Sequence, residues 1–210
     1  MMKIEKKRIM RNVYVVHFDS QKNMAETFLR FQEHYESPKF RNKIFTHKEF
    51  REWYIQNSKE GKKTGKFTYY KDWDGFNIPS NVLNPFKEGK FNPLTEKEKK
   101  LLCLFKNVKG KFYIIAYHGG GHHLLGHELA HALFHTNEIY KNKVLKVLKR
   151  YNLKKVEKEL LSIGGYGKHI LKDEIQAYAV SLNHELMTDI PKQLMKEVND
   201  IFGIHSPRIK

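Results

Sequence analysis

Five residues, His127-Glu128-Leu129-Ala130-His131, constrain the fold of this chain more than any other stretch. Two histidines four positions apart share a face on an α-helix, where residues i and i+4 lie one turn apart. So placed, two imidazoles can converge on one zinc ion at about 2.0–2.1 Å. The glutamate after the first histidine lies beside such a metal without being aimed at it, and is suited to take a proton from metal-activated water. Leu125, Leu129, Ala132 and Leu133 fall on the other side of the helix, so it needs a core behind it and a cleft in front.

The flanking sequence permits that arrangement. Residues 111–117 carry the β-branched and aromatic side chains of a strand, and Gly119-Gly120-Gly121 supplies a turn into a helix over 121–136. Further helices are expected at 138–151, 154–163, 171–187 and 191–202, the last with Pro191 in its first turn. Before residue 110 the signals are mixed. Val13 to Phe18 reads as a strand and 23–35 as a helix. Thr46-His47-Lys48-Glu49 and Thr95-Glu96-Lys97-Glu98 have capping-box spacing, in which threonine and glutamate satisfy each other's free backbone donors. The first opens a helix with Phe50, Trp53 and Tyr54 on its apolar face, and the second a helix running to Phe105. Residues 61–93, punctuated by Gly and Pro among aromatics, read as short strands and ordered loops. The expected class is α+β, one domain over residues 1–210, with a mixed first half (1–110) and a mainly helical, metal-binding second half (111–210).

Composition adds limits. With 40% hydrophobic residues in 210, the chain can bury a core. No window approaches eighteen apolar residues and no apolar signal core follows the N-terminus, so neither membrane insertion nor export is expected. The single cysteine, Cys103, lies in the run Leu101-Leu102-Cys103-Leu104-Phe105, where a buried thiol is expected. No internal disulfide can form, which fits a reducing, cytoplasmic setting. Thirty-nine Lys and Arg against 23 Asp and Glu leave a formal charge of +16. A field of that size attracts polyanions, so nucleic acid is a candidate partner, although lysines spread over the whole chain also fit a general compositional bias.

The strand at 111–117, the glycine turn and the histidine helix together resemble the zincin metallopeptidases, in which an edge strand that aligns substrate lies beside the H-E-x-x-H helix. The likeness spans roughly residues 111–187. It implies a small mixed sheet whose edge or near-edge strand, 111–117, borders a metal cleft, with Zn2+ as cofactor, Glu128 as general base and a peptide or protein as substrate. Metzincins require glycine and a third histidine where this chain has Phe134 and Asn137, which excludes them. Gluzincins take a glutamate from a later helix, often followed three residues on by alanine, and Lys172-Asp173-Glu174-Ile175-Gln176-Ala177 resembles that pattern. Glu174 is therefore the expected third ligand beside His127 and His131. Asp173 is expected to orient a ligating histidine from outside, although it is also a rival ligand, and both acids would suit a helix first turn in any case.

His169 and His184 are the other rivals, because Spartan-type proteases complete the same motif with histidine and are basic and DNA-associated. Tyr166, in the glycine-rich loop 164–169, is the expected donor to a developing oxyanion, with Tyr178 as alternative. His118, His122, His123 and His135 stay open between solvated surface and supporting roles. The competing functions are a nucleic-acid-associated protein or protease with a zinc site, and an inactive interaction module, against which the intact Glu128 argues.

Overall fold

The computed structural model describes residues 3–119, 125–163, 167–181 and 189–207. Strands β1 (Ile4–Met10) and β2 (Val13–Phe18) form a hairpin whose turn places Asn12 at φ 63°, a left-handed conformation asparagine tolerates well. Helix α1 (Gln21–Glu36) starts at Ser20, whose side chain accepts from the Asn23 amide. Helices α2 (His47–Asn57) and α5 (Glu96–Leu104) both begin at the capping boxes expected from sequence. Between them lie α3 (Lys59–Thr64), strand β3 (Gly75–Pro79) and the short α4 (Asn84–Lys87). Strand β4 (Tyr113–His118) leads to α6 (Leu125–Thr136), α7 (Glu138–Leu148), α8 (Lys154–Ile163), α9 (Leu171–Val180) and α10 (Lys192–His205). Pro191 caps α10 from outside instead of occupying its first turn, and that helix ends three residues later than expected.

The four strands make one mixed sheet in the order β1-β2-β4-β3, parallel only between β2 and β4. Period-two alternation sends one set of side chains to each face. Val13, Val15, Tyr113 and Ile115 join a core with α6, α7, α9 and α10, whereas Val16, Phe18, Ile114 and Ala116 join an aromatic-rich core with α1, α2 and α5. Leu125, Leu129, Ala132 and Leu133 are buried, so the back of α6 is set against the sheet as its apolar stripe requires.

The strand expected at 111–117 forms in the near-edge place the resemblance implied, one position inside the edge, because β3 pairs along its outer side from Gly75↔Tyr117 to Pro79↔Tyr113. The true edge beside α6 is β3. Two other features differ from expectation. Residues 4–10 form the opposite edge strand although they read as charged, and Lys6, Lys7 and Arg8 lie exposed along it. Lysines there discourage pairing with another chain, which gives part of the net charge a structural use. Cys103 is exposed, since Leu101 and Phe105 take the inward positions of that run and the cysteine points out between them. No described helix is long and apolar enough to cross a membrane.

Candidate metal centre

Helices α6 and α9 pack against each other and bring three donors together. His127 and His131, one turn apart on α6, meet Glu174 from the first turn of α9, with one ligand atom from each within 4.8 Å of the others. The two Nε2 atoms are 3.1 Å apart, and Glu174 lies 3.8 Å from His131 Nε2 through one oxygen and 4.0 Å from His127 Nε2 through the other. Donor pairs around one tetrahedral zinc sit about 3.3–3.4 Å apart for bonds of about 2.0–2.1 Å, so small side-chain adjustments would suffice. Glu174 Oε2 is buried with no hydrogen-bond partner, an orphaned acceptor aimed into the cluster.

The electrostatics point the same way. Burial, then the charge on His131, pushes the His127 imidazole down to about 3, so it is neutral with a lone pair available. Burial opposes charging His131 too, but Asp173 and Glu174 overcome it and raise this histidine well above its ordinary value. Burial pushes Glu174 up to about 7, with His131 pulling it back and Asp173 and Glu128 pushing further. Asp173 and Glu174 thus favour positive charge at His131, beside His127. The donor set fits zinc, which favours imidazole nitrogen and carboxylate oxygen.

Behind the cluster stands Asp173. Its carboxylate receives His131 Nδ1 at 2.9 Å, His135 Nε2 at 3.1 Å and Gln176 Nε2 at 3.0 Å. Burial raises it, yet the His131 and His135 contacts outweigh that and hold it well below the carboxylate range. Fixing Nδ1 as the protonated side of His131 leaves Nε2 to face the cluster. Gln176 is itself held by the Tyr140 hydroxyl at 2.6 Å, and His135 by the Tyr35 hydroxyl at 2.9 Å. Asp173 therefore occupies the outer, orienting position.

Glu128 projects from α6 toward β3, not toward Glu174. Its Oε2 accepts from Asn77 Nδ2 at 2.5 Å, and Asn77 Oδ1 accepts from the Tyr113 hydroxyl. Burial raises the Glu128 carboxyl, while His131 and the Asn77 donor lower it. Gly75 lies on the other side, where a Cβ would come within 3.3 Å of Glu128 Oε1 and of the Ala116 carbonyl. Among the described residues β3 is the outermost strand on this side of the sheet. Ser80 N donates to Phe112 O at 2.8 Å, so in the same register Ile78 and Phe76 carry the β4 hydrogen bonds. Gly75 and Asn77 consequently turn their amide and carbonyl groups away from β4.

Among the other sequence candidates, His169 is exposed and joins no metal-ligand group among the described residues. His118 sits at the end of β4, 3.4 Å from Asp74. The Tyr178 ring packs edge-on against His127 with centroids 4.8 Å apart. Tyr166, His122, His123 and His184 lie outside the described residues. Sequence reasoning missed Asn77, Tyr113 and Tyr35; only the alternation of Gly75-Phe76-Asn77-Ile78-Pro79 hinted that a polar side chain would face α6. Comparison with family models, with curated proteins and with solved structures finds no match.

Proposed function

We propose that this protein is a zinc-dependent peptidase of the gluzincin type, in which His127, His131 and Glu174 hold the metal and Glu128 serves as general base. One observation carries the reading. A two-histidine, one-glutamate cluster with an orphaned carboxylate oxygen lies beside a separate buried glutamate, and that glutamate is held by a side chain from the edge strand β3.

Zinc, when bound, supplies a Lewis acid that polarises a carbonyl and lowers the pKa of water. The remaining work falls to side chains. Glu128 takes the proton of the attacking water and returns it to the leaving amine. Asp173 fixes the His131 tautomer through Nδ1. The outward amide and carbonyl groups of Gly75 and Asn77 suit an extended peptide added alongside β3, which moves the substrate-aligning role from 111–117 to the neighbouring strand. Tyr166, outside the described residues, stays the candidate donor to the oxyanion, with Tyr178, whose ring packs on His127, as the alternative.

The test is proteome-wide cleavage profiling with wild type and Glu128→Gln. The amide keeps the size of the side chain but cannot accept the proton, so the variant should bind zinc as wild type does and cleave nothing. Equal turnover by the variant would remove Glu128 from the role.

A further inference from the structure

Asn77 is a buried polar residue on an edge strand, a position that normally takes an apolar or solvated side chain. Both ends of its amide are in use. A carboxylate only accepts, so Glu128 must face the amide nitrogen, and this leaves Oδ1 for the Tyr113 hydroxyl to donate to. Tyr113 is fully buried, and its ring stacks on His135 with centroids 5.1 Å apart. His135 contacts Asp173, and Asp173 contacts His131. The chain Glu128–Asn77–Tyr113–His135–Asp173–His131 thereby joins the proposed base to a proposed metal ligand through side chains from β3, β4, α6 and α9.

We propose that Asn77, locked by Tyr113, is a positioning residue that sets the orientation of the Glu128 carboxylate. The inference rests on the peptidase reading for its catalytic consequence, but the contact itself can be read without turnover. Gly75 strengthens the argument, because the absence of a side chain there gives the carboxylate room on one side while Asn77 grips it on the other. An extended peptide pairing with the outward backbone of Asn77 would meet the same residue whose side chain holds the base, so substrate register and base orientation are set together.

The experiment combines two readouts. In metal-free 15N-labelled protein, the Asn77 side-chain amide resonances should move when Glu128→Gln removes the charge and when Tyr113→Phe removes the donor to Oδ1. On a substrate found by cleavage profiling, Asn77→Ala should lower kcat about ten- to hundredfold with KM and zinc affinity nearly unchanged, as for loss of an orienting partner. Tyr113→Phe should cost a smaller factor, about two- to tenfold, because the amide can still donate. Asn77 resonances that ignore Glu128→Gln would overturn the proposal, as would an Asn77→Ala variant with wild-type kcat or one whose activity falls only in step with lost zinc. A wild type that cleaves nothing, with the amide responding as described, would sink the peptidase reading and leave the Asn77–Glu128 contact supported.

Discussion

Changing Asp173 to asparagine should damage this protein twice. The carboxylate accepts from His131, His135 and Gln176, and it is 9% exposed, so water cannot replace what is lost. Asparagine offers one acceptor oxygen, and its amide would point a donor at donors. Removing one partner of a buried ion pair costs about 3–5 kcal/mol, because the remaining charge, here on His131, is left without compensation. For a chain of this length each kcal/mol lowers the melting temperature by about 2–4 °C, so the metal-free variant should melt roughly 6–20 °C below wild type. Zinc affinity should drop as well, by about ten- to hundredfold, since an orienting carboxylate on a ligating histidine typically contributes that much. Thermal melts followed by circular dichroism, with competition against a chromophoric chelator, measure both. A variant that melts within about 2 °C of wild type and keeps its zinc affinity would refute the reasoning that Asp173 organises this layer.

Two further outcomes follow from the buried charges. Raised folded-state values for Glu174, about 7, and for His131 mean that the native protein holds protons the unfolded chain releases, so their stabilisation is lost as pH rises. His127, lowered to about 3, acts in the opposite sense, but only below its ordinary value of 6.5. From pH 6.5 to 8 the metal-free protein should therefore lose stability while zinc affinity rises, because binding displaces those protons; melts with and without zinc across that range test the sign. Far from the site, Arg30 binds both oxygens of buried Glu98 and the carbonyls of Phe91 and Pro93, tying α1 to α5. Arg30→Met should destabilise by about 3–5 kcal/mol in urea denaturation, without changing zinc binding.

The parts of the fold legible in the sequence are those fixed by local chemistry. Val13–Phe18, both capping boxes and the amphipathic α6 each depend on residues a few positions apart. The meeting of Glu174 with His127 and His131 was legible only as a pattern, since forty-odd residues separate them and the packing of α6 on α9 is what closes the gap. β1 was not legible because an exposed edge strand buries too little to show alternation. β3 was legible only as one of the short strands expected within 61–93, because five residues bounded by Gly and Pro do not mark their own limits until β4 pairs with them. That pairing also decides that 111–117 is the near-edge strand and not the edge itself. Asn77 and Tyr113 gain their importance from Glu128, fifty-one residues from Asn77 along the chain, and no spacing rule announces such a contact. Cys103 shows the converse, a residue in an apolar run that the helix turns outward.

The central claim is that Glu174 completes a metal site with His127 and His131, and calorimetric zinc titration of wild type beside Glu174→Gln tests it most directly. Wild type should bind one zinc ion per chain with proton release, and the variant, which keeps the shape but loses the anionic donor, should bind at least about a hundredfold more weakly. Zinc bound by Glu174→Gln as tightly as by wild type, or none bound by wild type, would contradict the account.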